Sequence, residues 1–202
     1  RNANDGLSTL QIKNGALDFI ERADTIAQPF FLSVSFSAPH HPFLPAQSDQ
    51  YARDGFAIPP RPGFNEKNIK DKPAWFRKEA RHRLGPGERM KIADQQRRRD
   101  ETLVGVDRAV NSIVDALEQQ GILDDTYVIF TSDNGLFRGE HRIAGGKYLP
   151  HEPASHVPLM IRGPGITPGS NIQELVSNVD IASTVLEVAG VPDPTTDGRS
   201  LF

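Results

Sequence analysis

The sequence predicts an α/β fold in which helices and strands form a layered domain. Two observations lead to this prediction: short apolar runs have the length and composition of buried strands, and longer amphipathic stretches alternate with them along the chain. At 202 residues the chain is long enough to form one domain with a hydrophobic core. We therefore expect residues 1–202 to form a single α/β domain portion.

The first elements are a helix and a strand. Ser8 and Gln11 have the spacing of a capping box, which predicts a helix that starts near Ser8. Pro29 interrupts the chain, and the apolar run Phe30–Phe36 then predicts a strand. The predicted helix has one apolar face, formed by Ile12, Ala16, Phe19, Ile20 and Ala23.

Residues 43–90 are rich in proline and too long for a simple connection, so they are expected to be a functional excursion from the domain. A weak helical pattern covers Ala74–Arg83 within it. The basic run Arg77–Arg83 has two interpretations, a solvated helix face or the lining of a cleft for an anionic substrate.

The best helix is predicted over Ala93–Gln120, with Gly121 as its C-terminal stop. Two strands are predicted at Thr126–Thr131 and Val157–Arg162, and Asp180 is expected to cap a last helix. The long helix should bury the stripe Leu103, Val106, Val110, Ile113, Val114 and Leu117.

Composition excludes several functional classes. The formal net charge of −3 predicts no general attraction to nucleic acid or to anionic membranes. No apolar run approaches the roughly 20 residues that span a bilayer. Without cysteine, the chain has no disulfide, no thiolate metal site and no thiol nucleophile.

Three polar clusters follow predicted strands and could carry chemistry. Asp133 and Asn134 offer carboxylate and amide oxygens, which suit Ca²⁺ or Mg²⁺, although the same residues are common in plain turns. His40 and His41 lie between prolines that restrict their backbone. Lys147 lies in a glycine-rich loop, where it either reaches an anionic oxygen or is a solvated surface lysine.

Taken in order, these motifs resemble type I sulfatases of the alkaline-phosphatase-like superfamily. The resemblance covers nearly the whole chain except its proline-rich middle, and it implies an incomplete part of the family's α/β fold, a mixed sheet sandwiched by helices. It is carried by Phe30–Pro42, Thr131–Gly135, Gly139–His141, Lys147 with Glu152, Val157–Gly165 and Asp197–Leu201.

The resemblance implies a role for each matching residue. Asp133 and Asn134 match a pair of metal ligands, usually to Ca²⁺, with Mg²⁺ as the alternative. His40 and Lys147 match catalytic groups that contact the sulfate, and His141 lies in a loop that faces substrate in some members. The family's usual tyrosine before Glu152 is His151 here.

One family feature is absent from this sequence. Sulfatases carry a Cys/Ser-x-Pro-x-Arg motif that provides a formylglycine nucleophile, and an acidic pair near it completes the metal site. The chain has no cysteine and no Ser-x-Pro-x-Arg string. We therefore interpret it as a C-terminal portion of the catalytic domain, expected to be inactive alone and to bind metal weakly or not at all.

The resemblance implies hydrolysis of a sulfated small molecule or glycan, with residues 43–90 on the substrate side of the domain. Two alternatives stay open. The first is a phosphoester or phosphonate ester hydrolase of the same superfamily, since sulfate and phosphate sites use the same residue types. The second is a fragment without catalytic activity.

Overall fold

The computed structural model describes residues 5–26, 28–55, 59–80, 82–192 and 195–202. The described chain contains both helices and strands, which confirms the α/β prediction. It divides into two compact units, residues 1–164 and 165–202. In chain order the elements are α1 (Asp5–Ile26), α2 (Ala74–Ala80), α3 (Pro86–Gln119), β1 (Val128–Thr131), α4 (Glu152–Ser155), β2 (Leu159–Arg162) and α5 (Asp180–Val188).

Helices α1 and α3 pack against each other in the first unit. The predicted face of α1 is confirmed, with Ala16 and Ile20 buried, but α1 begins about one turn before Ser8. Ser8 is therefore not the N-cap, and its hydroxyl accepts a hydrogen bond from the Ser37 hydroxyl at 3.0 Å. Ile20, Leu117 and Leu123 form the buried core between α1, α3 and the turn that precedes β1.

Helix α3 is longer than predicted because it begins at Pro86 instead of Ala93. Proline suits the first helical position, since the first amide groups of a helix have no intrahelical acceptor. The Glu88 carboxylate also accepts a hydrogen bond from the Gly85 amide at 2.8 Å, which fixes the helix start. The predicted stop is confirmed: Gly121 has a φ of 72°, a conformation that glycine adopts readily.

The sheet of the described chain has two antiparallel strands, β1 and β2, with Val128 opposite Arg162 and Thr131 opposite Leu159. Both strands are shorter than predicted, and β1 is half-buried instead of fully buried. The predicted strand at Phe30–Phe36 is wrong. Its side chains alternate in exposure as in a strand, but the segment pairs with no described strand and stays an extended loop.

The proline-rich excursion packs against the loop that follows β1. Phe76 of α2 is fully buried in a core cluster with Phe137 and Ile143 of that loop. Helix α2 ends at Ala80, earlier than the predicted Arg83, and Arg81 lies outside the described residues. This packing places α2 beside the loop that contains the predicted site residues.

The second unit is organised around the start of α5. Asp180 is the first helical residue, so it is not the N-cap that the sequence predicted. Its carboxylate instead accepts hydrogen bonds from the amides of Ser177 at 2.8 Å and Arg199 at 3.0 Å, and both bonds lower its pKa. The Leu201 amide donates to the Thr184 hydroxyl at 3.1 Å. These bonds bring the C-terminal motif back to α5. No helix in the described part of the chain is long and apolar enough to cross a membrane.

Candidate active site

The turn after β1 places Asp133 and Asn134 beyond the carboxyl end of the strand, as predicted. The backbone amide of Asn134 donates a hydrogen bond to Oδ1 of Asp133 at 2.9 Å, and the Ser132 hydroxyl donates one to the backbone carbonyl of Asn134 at 3.0 Å. The Gly135 amide then donates to the Ala154 carbonyl at 2.8 Å. A side chain at Gly135 would collide with the Pro153 carbonyl, so this close approach requires glycine.

Lys147 lies beside the turn that contains Asp133. The Phe137 amide donates to the Gly146 carbonyl at 3.0 Å, which folds the loop back on itself. This fold puts Nζ of Lys147 at 3.9 Å from Oδ2 of Asp133. Both side chains are largely exposed, so their mutual attraction contributes little to stability. The arrangement instead leaves a cation and a carboxylate side by side and open to a ligand.

Asp133 and Asn134 fit a metal as two ligands of a larger set. The Asn134 side-chain NH₂ donates to the Gly135 carbonyl at 2.9 Å, so the NH₂ group and not the amide oxygen makes this bond. Hard cations bind oxygens of these types but need six or more of them. Among the described residues, no group of three or more carboxylate or imidazole side chains gathers to complete a site.

His141 lies in a second cluster, formed by side chains from three segments. Its Nδ1 donates a hydrogen bond to Oε2 of Glu66 at 2.7 Å, and its ring lies 5.9 Å from the rings of both Phe76 and His151. The bond to His141, and then that to Lys72, lower the pKa of Glu66. Glu66 was not predicted from sequence, because it precedes His141 by 75 residues within the proline-rich excursion.

His40 lies in a third place, the loop after the extended segment. The peptides Ala38–Pro39 and His41–Pro42 are both cis. The His40 ring is exposed, and its Nδ1 lies 3.1 Å from the His41 carbonyl. The structure therefore brings Asp133, Asn134 and Lys147 together, whereas the described contacts of His40 and His141 are with other groups.

The sulfatase family model matches residues 2–191 of this chain. The chain belongs to the sulfatase family. It is 33% identical to human N-acetylglucosamine-6-sulfatase over 193 residues, which are 95% of this chain and 34% of that protein. The chain thus spans about a third of the length of the first curated relatives it matches.

Solved structures share the sulfatase fold with this chain. BT4656, in complex with its substrate D-glucosamine-2-N,6-O-disulfate, has a TM-score of 0.76 and 24% identity, covering 96% of this chain and 51% of that one. The phosphonate monoester hydrolase of Silicibacter pomeroyi has a TM-score of 0.78 and 23% identity, covering 96% and 40%. The predicted alkaline-phosphatase-like fold is therefore confirmed for the part of it that this chain forms.

His151 should make the protein less stable in acid. Its ring is packed against Phe76 and Phe137, and its buried Nδ1 has no hydrogen-bond partner among the described residues. Burial first, and then the positive charge of His141, lower the pKa of His151. The unfolded chain therefore takes up the proton at a higher pH than the folded one, and stability falls as the pH drops below about 6.5.

We expect His151→Tyr, which restores the family's usual residue, to reduce the loss of thermal stability between pH 7.5 and pH 5.5. The measurement is the unfolding midpoint at each pH. His156→Gln is the control, because the His156 side chain is 74% exposed. If the wild-type protein and His151→Tyr show the same pH dependence, His151 is not the cause of the loss of stability in acid.

Proposed function

We propose that the protein containing this chain hydrolyses sulfate esters, with Lys147 and His40 binding the sulfate. The observation that carries the proposal is the 3.9 Å separation between Nζ of Lys147 and Oδ2 of Asp133, in a chain that belongs to the sulfatase family. An ammonium beside a proposed metal-binding carboxylate can stabilise the negative charge on the sulfate oxygens in the transition state.

Asp133 and Asn134 would bind Ca²⁺, with Mg²⁺ as the alternative, and a bound cation would supply further positive charge to the sulfate. Oδ1 of Asp133 is fixed by the Asn134 amide, so the carboxylate is held in place before any ligand binds. The remaining metal ligands and the formylglycine nucleophile would come from outside this chain. The isolated chain would then be inactive and would bind metal weakly or not at all.

His141 would contribute to substrate binding from the loop that contains Lys147. Oε2 of Glu66 accepts a hydrogen bond from Nδ1 of His141 at 2.7 Å. This bond places a proton on Nδ1 and holds the ring in one orientation. We propose a sulfated small molecule or glycan as the substrate. The relatives named N-acetylglucosamine-6-sulfatase support a sulfated glucosamine within this class.

The test compares esters that share one leaving group: 4-nitrophenyl sulfate, 4-nitrophenyl phosphate and 4-nitrophenyl phenylphosphonate. For the protein at its full natural length, we expect the highest kcat/KM on the sulfate, a loss of turnover with a calcium chelator and recovery with added Ca²⁺. The 202-residue chain alone should turn over none of the three esters.

A preference for the phosphonate or phosphate ester would favour the second candidate, a phosphoester or phosphonate ester hydrolase. The phosphonate monoester hydrolase with a TM-score of 0.78 shows that this fold also supports that activity. If the full-length protein turns over neither the three esters nor a sulfated sugar, the non-catalytic alternative is favoured.

A further inference from the structure

Two charged side chains of the proline-rich excursion hold the ring of His141. Oε2 of Glu66 accepts a hydrogen bond from Nδ1 of His141 at 2.7 Å, and Oε1 of Glu66 pairs with Nζ of Lys72 at 3.3 Å. Nζ of Lys72 also lies 2.6 Å from Oδ2 of Asp71, so the lysine bridges two carboxylates. The carboxylate of Glu66 is therefore held in place by a contact on each of its oxygens.

The backbone of the same segment is bound to the loop after β1. The backbone carbonyl of Glu66 accepts a hydrogen bond from Nε of Arg142 at 2.8 Å, and the His141 amide donates one to the Gly63 carbonyl at 2.8 Å. Gly63 has a φ of 79°, and a Cβ atom there would lie 3.1 Å from Cε1 of His141. His141 is thus restrained by this segment both through its amide and through its ring.

The bond to Glu66 determines which nitrogen of His141 can bind another group. The hydrogen bond from His141 has the largest effect on the pKa of Glu66, which it lowers, so Glu66 is ionised at neutral pH. An ionised carboxylate can only accept hydrogen bonds, so Nδ1 carries a proton whether the ring is neutral or protonated. Nε2 is then the nitrogen that remains for another partner. It accepts a hydrogen bond in the neutral ring and donates one in the protonated ring.

We propose that Glu66 is a positioning residue for substrate binding: it holds His141 so that Nε2 contacts an oxygen of the substrate, and Lys72 holds Glu66. The oxygen belongs either to a sugar hydroxyl, which donates to neutral Nε2, or to the sulfate, which accepts from protonated Nε2. This inference rests on the proposed function, because it takes His141 to contact the substrate. Glu66 acts through His141 and needs no contact with the substrate of its own.

The test measures kcat/KM of the full-length protein on N-acetylglucosamine 6-sulfate. Glu66→Ala should lower kcat/KM by about 10-fold, because the imidazole of His141 loses the bond that orients it. Lys72→Gln leaves that bond in place, so a smaller loss of about 3-fold is expected. Glu79→Ala is the control that should leave kcat/KM unchanged, because Glu79 is an exposed glutamate of α2 in the same excursion.

A variant of the histidine separates positioning from a purely structural role of Glu66. His141→Asn can place its NH₂ group where Nδ1 was and still bond to Glu66, but it has no group in place of Nε2. Asparagine also tolerates the φ of 51° at this position. We expect His141→Asn to lower kcat/KM at least as much as Glu66→Ala, and Glu66→Ala to cause no further loss in the His141→Asn background.

Wild-type activity of His141→Asn would overturn the inference. The same conclusion follows if Glu66→Ala lowers kcat/KM equally in the wild-type and His141→Asn backgrounds, since Glu66 then acts without His141. Unfolding midpoints of all variants exclude a loss of folding as the cause. If Glu66→Ala does not fold, His141→Asn alone still tests the role of Nε2.

The ester 4-nitrophenyl sulfate, which has a sulfate but no hydroxyl, identifies the oxygen that Nε2 contacts. Equal losses of Glu66→Ala on this ester and on the sugar sulfate assign the sulfate oxygen, and a loss on the sugar alone assigns a hydroxyl.

Calorimetric binding of N-acetylglucosamine 6-sulfate separates the failure of this inference from that of the proposed function. Binding that Glu66→Ala weakens about 10-fold, without hydrolysis by the wild-type protein, would refute the sulfatase function and keep the positioning role. Hydrolysis by the wild-type protein with unchanged kcat/KM in Glu66→Ala would overturn the positioning role and keep the sulfatase function.

Discussion

Replacing Lys147 by alanine in the full-length protein is expected to lower turnover of an aryl sulfate by about 10-fold or more. The Lys147 ammonium lies 3.9 Å from the Asp133 carboxylate and is 46% exposed, so it can reach an oxygen of a bound sulfate. In the proposed mechanism the ammonium binds the sulfate oxygens more tightly in the transition state than in the ground state. The loss should therefore appear in kcat as well as in kcat/KM.

Lys147→Ala should not weaken calcium binding, because removing a positive charge beside a carboxylate cannot disfavour a cation there. Calorimetric titration of the variant with Ca²⁺ checks this second result. Lys147→Arg keeps the charge and should retain part of the activity. Lys91→Ala, an exposed lysine of α3, is the control that should leave turnover unchanged. Unchanged turnover of Lys147→Ala would remove this residue from the site.

Asp133→Asn should lower kcat/KM on the order of 100-fold at limiting calcium, because it removes the charged member of the proposed metal-binding pair. The asparagine side chain keeps an oxygen that can accept the hydrogen bond from the backbone amide of Asn134, so the turn itself is preserved. The expected result includes a weaker affinity for Ca²⁺. Raising the calcium concentration should restore part of the activity.

The matched control is Asp124→Asn. Asp124 precedes the same strand, is fully exposed and lies 4.0 Å from Arg162, so its charge should not affect metal binding. Activity and calcium affinity are measured together in both variants. If Asp133→Asn keeps the wild-type calcium affinity, then Asp133 is a turn residue and the metal assignment is wrong.

The local sequence was sufficient to predict those parts of the structure that one short segment determines. The turn at Asp133 follows β1 because three apolar residues and a threonine end at a run of turn formers, and Gly121 ends α3 because it adopts a positive φ. The start of α3 was missed for an equally local reason. Gly85-Pro86-Gly87 looks like a loop, whereas Pro86 and Glu88 form a favourable helix start.

Longer-range contacts could not be predicted in this way. The segment Phe30–Phe36 has the composition of a strand, but a strand also requires a partner, which no local pattern specifies. The contact between Glu66 and His141 joins residues that no spacing rule relates.

The pairing of residues 63–65 with the loop after β1 has a consequence for how the site assembles. The His141 amide donates to the Gly63 carbonyl at 2.8 Å, and the Asn65 amide donates to the Gly139 carbonyl at 2.7 Å. Each bond closes a chain loop of more than 70 residues, and most of the entropy cost falls on the first bond that forms. The remaining bonds follow at little further cost. The two segments should therefore dock and separate as one cooperative unit, after the local turn at Phe137 and Gly146 has formed.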